Sequence, residues 1–468
     1  MLPSEYDKGT GRSFSALDST LSGSLFVPAS MGEIWSDRSR LAAMLKVEWA
    51  LAMAQTTNGL CPPGVAEALA AIEPRDFDLE ALGQSTALSG VPTIPFINAL
   101  RKKLPPDYEP HVHKGATTQD VMDTALMMQV QKSMEVLLPQ AIGVLAALSA
   151  LASRHAGTPC VGRSYGQHAV PVSFGYKVAV WLSGLCDALA PWPVLAPTIL
   201  KASLAGPVGT LSGRSPAHAR TGQDFARLLG LAFDPVPWHV RRSPVVSLAA
   251  FVTQVLGSLA KMAGDIVNLS STEVGEVSEP FIAGRGGSSA MPHKRNPVAA
   301  TVIIAAFQAA QGLNQTMQAG LAASHERPAG AWHAEWHALP QLFGLLAGAL
   351  HEARRIAEGL EVDAGRMAFN LEQTRGLIYA DAVASALSAD LGAGHAHHLI
   401  EQAAGTVRQT GQHLLEVIGA RPDLPDSLNS ERLKALFDPA PAVQAASMIV
   451  PAALDQAAQV MAALSRKG

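Results

Sequence analysis

The densest set of reactive side chains in this sequence lies in residues 284–297 (GRGGSSAMPHKRNP), which we call the third cluster because two others precede it. Its glycines permit positive φ angles, so the backbone can adapt. The hydroxyls of Ser288 and Ser289 could supply a base, and Lys294 and Asn296 could hold a carboxylate or an enolate-like anion. This pattern favours a mobile catalytic loop over a basic surface loop with glycine hinges.

The first cluster, residues 111–124 (HVHKGATTQDVMDT), stands where a long helix could begin. Thr117 and Thr118 would then combine their hydroxyls with the unpaired N–H groups of a helix N-terminus, which suits an anion. The alternative is an ordinary helix cap with Asp120 in the first turn. The residue types alone support both interpretations.

The second cluster, residues 161–173 (VGRSYGQHAVPVS), is a glycine-containing connection between two predicted long helices. It offers four polar or ionisable side chains, those of Arg163, Tyr165, Gln167 and His168. A single histidine in such a position is more often a structural residue than a catalytic acid, so both roles stay open for His168.

Three shorter segments add ligand-binding potential: 206–210 (GPVGT), 237–242 (PWHVRR) and 325–327 (HER). The first could wrap its backbone around a ligand, and the others contribute Arg242 and Arg327. Arginine binds carboxylates through two parallel hydrogen bonds. Several cationic and hydroxyl groups without a nucleotide-binding glycine loop predict a small polycarboxylate substrate.

Metal and nucleotide sites are not predicted. Residues 333–337 (HAEWH) have histidines four apart, but their glutamate is not in the place that a zinc-protease helix requires. Trp332 and Trp336 share the same helical spacing, so packing is the preferred interpretation. Neither a phosphate-binding loop nor a dinucleotide fingerprint is present in the sequence.

Composition limits the remaining classes. The 468 residues are 48% apolar and 16% charged, with a formal net charge of −4 and no long basic run, which argues against nucleic-acid binding. Three scattered cysteines fit a reducing cytoplasm. We expect no secretory signal and no membrane span, because the apolar segments contain Gly, Pro or polar residues. Low charge in a large helical chain predicts burial of surface between subunits.

Alanine and leucine dominate while β-branched runs are scarce, which predicts an all-α fold with a long central helical bundle. We expect a loose tail at 1–20, an N-terminal helical domain at 21–110, a central bundle at 111–372 and a C-terminal helical domain at 373–468. The main predicted helices span 41–58, 121–155, 172–189, 216–231, 244–271, 298–321, 339–371, 378–392, 395–418, 430–437 and 443–465.

The three clusters, in this order, closely resemble the signatures of the fumarase/aspartase superfamily. The resemblance spans residues 21–464 and is greatest to bacterial 3-carboxy-cis,cis-muconate cycloisomerases. It is carried by the segments EIWSDRSRL (33–41), VHKGATTQDVMDT (112–124), PWH (237–239), HER (325–327), AWHAEW (331–336), AHH (396–398) and the third cluster.

This resemblance implies a homotetramer in which each active site draws its clusters from three chains, with no cofactor. It implies chemistry through a carbanion next to a carboxylate, and lactone closure by a substrate carboxylate in the cycloisomerases. The expected catalytic residues are Ser288, His168 and Lys294. The expected substrate-binding residues are His113, Thr117, Thr118, Gln119, Tyr165, Gln167, Arg242, Ser289, Met291, His293, Asn296 and Arg327.

Departures from the superfamily pattern bear on the substrate. Arg163-Ser164-Tyr165 stands where most of its lyases have Arg-Thr-His, which favours a cycloisomerase. Lys114 and the pair Ser243-Pro244 replace an apolar residue and an Asp-Arg pair, so a lyase acting on adenylosuccinate or another substituted succinate stays the alternative. A non-catalytic relative, as in lens crystallins, is disfavoured by the complete set of Ser288, Lys294 and Asn296.

Overall fold

The computed structural model describes residues 13–210, 217–287, 290–291 and 293–466. Helices dominate these residues, which confirms the predicted all-α fold. The helices are α1 (Gly23–Phe26), α2 (Ala29–Ile34), α3 (Asp37–Thr57), α4 (Val65–Ala70), α5 (Leu79–Ser89), α6 (Thr93–Arg101), α7 (Thr118–Arg154), α8 (Phe174–Leu189), α9 (Trp192–Ile199), α10 (Ala217–Leu229), α11 (Ser243–Leu269), α12 (Val298–Ala319), α13 (Ala331–Gly359), α14 (Ala364–Glu372), α15 (Ala380–Leu391), α16 (Ala393–Thr410), α17 (Leu414–Gly419), α18 (Ser430–Ala435), α19 (Ala440–Ser447) and α20 (Val450–Ser465).

Six short strands form three two-stranded sheets within the described residues. They are β1 (Pro159–Ser164), β2 (Gln167–Ser173), β3 (Lys201–Ala202), β4 (Ala232–Phe233), β5 (Val277–Ser278) and β6 (Glu361–Val362). β1 and β2 are antiparallel, β3 and β4 parallel, and β5 and β6 antiparallel. The first and third sheets lie next to predicted functional segments.

A bundle of long helices forms the main core. α12 packs against α11 and α13, and α7 packs against α3, α8 and α13. α7 is 37 residues long and continues across Pro139. At ~1.5 Å per residue it is about 55 Å long. Any groups at its two ends are therefore held far apart within one chain.

Four predicted elements differ from the structure. The predicted helices 395–418 and 443–465 are each divided in two, the first into α16 and α17 and the second into α19 and α20. The predicted helix 339–371 is in fact α13, which begins at Ala331 and ends at Gly359, followed by β6 and α14. A side chain at Gly359 would lie 2.8 Å from Pro280, so glycine is needed where the end of α13 passes the loop that contains Pro280. The second cluster was predicted as a connection leading into a helix at 172, but it is the β1–β2 hairpin, and α8 begins only at Phe174. Tyr165 and Gly166 have φ angles of 52° and 76° and form its two-residue turn.

The C-terminal part has a separate small core formed by residues of α15 to α18. The last helix, α20, instead joins the main core and packs against α7 and α8. The predicted C-terminal domain at 373–468 therefore contains one helix that belongs, by packing, to the central bundle.

Four helical segments are long and apolar enough to cross a membrane by length and composition alone: Thr118–Arg154, Phe174–Ile199, Ser243–Leu269 and Ala440–Ser465. The sequence analysis predicts no membrane span in any of these segments. All four pack against other helices of the same chain, and α7 also carries the buried carboxylates Asp120 and Asp123. Their remaining apolar faces are surface available to other chains.

Close packing of α1 on α13 gives a first prediction. A side chain at Gly348 would lie 1.8 Å from the Phe26 carbonyl oxygen, so Gly348→Ala should displace α1 and lower the thermal midpoint, at a cost of about 1–3 kcal/mol. Gly83→Ala is the matched control, since nothing lies within 4 Å of that exposed helical position. It should raise the midpoint slightly, because alanine favours helices. Equal effects of the two changes would contradict the packing.

Candidate active site

The first cluster forms the entry to α7, and its backbone is fixed from α3. His113 has a φ angle of 60°, which is uncommon for a residue other than glycine. Its backbone N–H and its Nδ1 both bond to the carboxylate of Glu48, at 2.9 and 2.8 Å, and Glu48 is 1% exposed. Gln55 donates to the Lys114 carbonyl at 2.7 Å. Glu48 and Gln55 therefore position His113, which is predicted to bind substrate. No local signal in the sequence indicates this role for Glu48 and Gln55.

Thr117 is the N-cap of α7, as the sequence indicated. Its hydroxyl accepts the backbone N–H of Asp120, and the Asp120 carboxylate accepts the N–H of Thr117 at 3.0 Å. Thr118 is the first helical residue. This capping box uses two N–H groups of the helix end, so an anion at this end would rely on side-chain donors as well.

The buried carboxylate of Asp120 gathers two distant segments at the start of α7. It accepts hydrogen bonds from the Ser203 hydroxyl at 2.8 Å and from the N–H groups of Ala205 and Gly206 at 3.0 and 2.9 Å. His239 Nε2 lies 2.8 Å from it. Burial alone would raise the pKa of Asp120, but His239 and these donors outweigh burial, and the pKa is lowered. The segments 206–210 and 237–242 thus meet at the first cluster.

Arg327 comes to the same place from the connection between α12 and α13. Its Nε donates to Gln119 Oε1 at 3.0 Å, and its Nη2 lies 3.4 Å from Thr117 Oγ1 and 3.1 Å from the Pro207 carbonyl. Gln119 in turn donates to the His239 carbonyl at 2.9 Å. Among the described residues nothing bonds to Nη1 of Arg327, and the side chain is exposed. Arg327 is therefore oriented, while one of its donor groups has no partner among these residues.

Arg242, predicted to bind substrate, is 3% exposed. All five of its N–H donors are used, by Asp123, Glu335 and the Trp238 carbonyl. Burial alone would lower the pKa of the guanidinium, but the two carboxylates raise it, so Arg242 stays charged. A guanidinium with no donor left has none to offer a ligand. We infer that Arg242 supports the first cluster from behind instead of contacting substrate.

The second cluster lies beyond the other end of α7, on the β1–β2 hairpin. Arg163 forms a two-point ion pair with the fully buried Glu276, at 2.6 and 3.1 Å, and Asn370 also donates to Glu276 at 2.8 Å. This ion pair fixes the hairpin close to its turn, because Arg163 is in the last pair but one before Tyr165. At its tip, Tyr165 is fully exposed and Gln167 is exposed.

His168 faces Arg163 across the hairpin. Its Nδ1 is buried and forms no hydrogen bond with the residues that the structure describes. Burial lowers the pKa of this imidazole, and the nearby Arg163 lowers it further. The ring is therefore neutral at neutral pH and would act first as a proton acceptor or hydrogen-bonding group.

In the third cluster, Ser288 and Ser289, the predicted proton carrier and its neighbour, lie outside the described residues. Met291, His293 and Lys294 are exposed. The N–H of Asn296 donates to the Gly286 carbonyl at 2.9 Å and joins the two sides of the loop. Gly286 has a φ angle of 69°, and a side chain there would lie 2.6 Å from the Asn296 carbonyl oxygen.

Among the residues that the structure describes, one chain does not bring the three clusters together. The first begins α7 and the second follows its last residue, Arg154, so they are separated by the full 37-residue helix, about 55 Å. Within the described parts of the chain, no hydrogen bond links the first cluster to the second or third. The second and third clusters lie at the same end, since both attach to the β5–β6 sheet through Glu276 and Glu361.

The tryptophans of 331–336 pack as their spacing indicated. The Trp332 and Trp336 rings lie 5.0 Å apart, and Trp332 donates to Asp123 at 3.0 Å. In the part of the chain that the structure describes, no three His, Cys, Asp or Glu side chains form a metal-binding group.

Two family models match this chain. Residues 29–312, more than half of the chain, match the family model described as Lyase, and residues 376–453 match that of the adenylosuccinate lyase C-terminus. The chain belongs to the lyase family. The predicted fumarase/aspartase resemblance is thereby confirmed.

Individual relatives of this lyase-family chain cover nearly its whole length. It is 41% identical over 413 residues to the 3-carboxy-cis,cis-muconate cycloisomerase of Pseudomonas putida, covering 87% of this chain and 98% of that protein. It is 38% identical over 431 residues to the nitrosuccinate lyase of Streptomyces davaonensis, covering 90% and 91%. The solved structure of the 3-carboxy-cis,cis-muconate lactonizing enzyme from P. putida superposes with a TM-score of 0.89 at 40% identity, covering 93% and 98%.

The Asp120 network predicts a pH-dependent stability. Its lowered pKa means that the ionised carboxylate stabilises the folded state above the unfolded pKa of about 3.9, and that this stabilisation is lost as pH falls through the folded value. Asp120→Asn should melt well below the unsubstituted protein at pH 7, with a difference that shrinks below pH 4. Asp37→Asn, at an exposed site with only a 3.8 Å ion pair, is the control and should change little. A difference independent of pH would contradict this assignment.

Proposed function

We propose that this protein is a 3-carboxy-cis,cis-muconate cycloisomerase, which closes 3-carboxy-cis,cis-muconate to 4-carboxymuconolactone in protocatechuate catabolism. The observation that carries the proposal is its similarity to the P. putida cycloisomerase over nearly the full length of both proteins. The hairpin tip supports the same activity, since Arg163-Ser164-Tyr165 lacks the histidine of most lyases of the superfamily.

Substrate binding would begin at the first cluster. A trianionic substrate needs several cationic or hydrogen-bonding groups, and Thr117, Thr118 and Arg327 converge at the start of α7. Arg327 is already held by Gln119, so its remaining donor group is oriented before a carboxylate arrives. Preorganised donors lose less entropy on binding, which favours a defined substrate orientation.

The reaction needs one new C–O bond and one new C–H bond. A substrate carboxylate oxygen adds to one carbon of a double bond, and the π electrons move to the other carbon, next to a second carboxylate. Lys294 and Asn296 of the third cluster would stabilise the resulting aci-carboxylate. Ser288 would then deliver a proton to that carbon, with His168 or Tyr165 as a further proton-handling group. The substrate keeps all of its own atoms, and the trianion becomes a lactone with two carboxylates by gaining one proton, which Ser288 regains from solvent.

A complete site would need more than one chain, in a homotetramer. The first cluster lies at one end of the bundle and the other two at the opposite end, so an antiparallel neighbour brings them together. Residues 298–324 contain no charged side chain, although α12 has exposed positions such as Gln311 and Gln315. This uncharged face, together with the half-buried apolar helices, supports burial between copies.

A cytoplasmic location fits the thiol chemistry. Cys61, Cys160 and Cys186 are unpaired and buried. Burial raises the pKa of Cys160 to about 12 and that of Cys186 to about 11, so these thiols stay protonated and unreactive at neutral pH.

A lyase acting on a substituted succinate is the second candidate. The 38% identity to nitrosuccinate lyase over 90% of the chain favours it, as does the exposed Lys114 beside the predicted ligand His113. An additional cation at this position would suit a different anionic group. Release of nitrite or fumarate from a substituted succinate would distinguish this activity from lactone formation.

The first test mixes purified protein with 3-carboxy-cis,cis-muconate and follows the loss of diene absorbance. We expect rapid loss with the unsubstituted protein and a decrease of at least about 10²-fold in kcat for Ser288→Ala, because the proton donor is removed. Absence of turnover by a folded protein would reject the cycloisomerase and direct attention to substituted succinates.

Sharing of the site between chains is tested by complementation. Arg327→Met removes a proposed substrate-binding residue that contacts the first cluster, and Lys294→Met removes a proposed anion-stabilising residue of the third cluster. Each variant should be inactive alone. Co-expressed variants should regain about a quarter of the activity, because random mixing leaves roughly one site in four with both side chains intact. Co-expression of two third-cluster variants, Lys294→Met and Ser288→Ala, is the control and should restore none. A mixture as inactive as its components would contradict shared sites.

A further inference from the structure

Glu361, the first residue of β6, accepts hydrogen bonds from both sides of the third cluster. From the incoming side it accepts the Ser278 hydroxyl and the Phe281 N–H, each at 3.1 Å. From the outgoing side it forms a two-point ion pair with Arg295, at 3.1 and 3.2 Å. The pKa of Glu361 is lowered, chiefly by Arg295, so the carboxylate is ionised at neutral pH. One side chain thus joins two stretches of loop that are separated by more than a dozen residues.

Arg295 is held from a second direction. Its Nη2 donates to the Glu279 carbonyl at 2.7 Å. The carboxylate of Glu279 accepts the N–H groups of Ala299 and Ala300, at 3.0 and 2.8 Å, which are in the first turn of α12. The guanidinium also lies over the Phe281 ring, 5.6 Å from its centroid. Arg295 is therefore linked through Glu279 to the start of α12.

The placement of Arg295 matters because its neighbours in the chain are Lys294 and Asn296, the proposed anion-stabilising residues. The N–H of Asn296 is bonded to Gly286, so the backbone is also fixed on that side. Lys294 is exposed, so the position of its ammonium depends on where the backbone of residue 294 is held. Anchoring Arg295 consequently limits where both flanking side chains can reach.

The β5–β6 sheet extends this anchoring to the second cluster. Ser278 on β5 pairs with Glu361 on β6, and Glu276 directly precedes β5. Glu276 holds Arg163 close to the hairpin turn that carries Tyr165. The carboxylates of Glu276 and Glu361, which belong to the two sides of this small sheet, therefore bind one arginine from each cluster. Glu276 binds Arg163 of the second cluster, and Glu361 binds Arg295 of the third.

We propose that Glu361 is a positioning residue for catalysis, which sets the placement of Lys294 and Asn296 by holding Arg295. This inference rests on the proposed function, in which those two side chains stabilise the aci-carboxylate. A misplacement of about 1 Å in such a group can reduce turnover strongly while substrate carboxylates bind elsewhere. Loss of the anchor should therefore lower kcat more than it changes KM.

The test compares Glu361→Gln with Glu358→Gln. Glu358 is a matched control because its ion pair with Arg354 has similar exposure, 49% and 52% against 46% and 47% for Arg295 and Glu361, but is confined to α13. We expect Glu361→Gln to lower kcat about tenfold with KM within about twofold and an unchanged thermal midpoint. Glu358→Gln should leave all three unchanged. The double variant Arg295→Gln/Glu361→Gln should have a kcat no lower than that of the less active single variant, because the two side chains act as one unit.

Hydrogen exchange of the peptide covering 293–300 gives a readout that does not need activity. Glu361→Gln should speed exchange of the Asn296, Ala299 and Ala300 amides relative to Glu358→Gln. Unchanged kcat together with unchanged exchange would overturn the inference, as would a fall in kcat matched by a lower thermal midpoint. If the unsubstituted protein shows no cycloisomerase activity, the proposed function fails, and the exchange comparison still decides whether Glu361 anchors the loop.

Discussion

The length of α7 constrains everything else about this protein. A 37-residue helix is a stiff rod of about 55 Å, and it separates the first cluster from the hairpin of the second. No loop rearrangement within one chain can close such a distance. In the proposed function, these groups meet when another copy presents its opposite end, so the proposed chemistry depends on the assembly as well as on the fold.

Carboxylates organise each cluster, three of them buried and one, Glu361, exposed. Glu48 fixes His113, Asp120 fixes the segments that surround the start of α7, Glu276 fixes the hairpin, and Glu361 fixes the third cluster. Each carboxylate accepts hydrogen bonds from donors in segments distant in the chain. A buried carboxylate needs such donors to remain charged, and the same donors make its position costly to change.

The cationic groups divide between two tasks. Arg163, Arg242 and Arg295 have their guanidinium groups bonded to protein carboxylates, and Arg242 has no donor left. Arg327 instead has one group, Nη1, without a partner among the described residues, and Lys294 is exposed. A basic residue in these clusters is therefore a candidate ligand only if the fold leaves some of its donors unused.

The sequence by itself determined the helical class, the course of most long helices, the three clusters and the family, because periodicity and dense local motifs are short-range properties. It did not reveal the β1–β2 hairpin, the end of α13 at Gly359 or the buried state of Arg242. Those features depend on contacts between residues such as Arg242 and Glu335, 93 positions apart, or Gly359 and Pro280. Only the tertiary structure decided which polar residues have all their donors bonded within the protein and which do not, since both kinds have the same side chains.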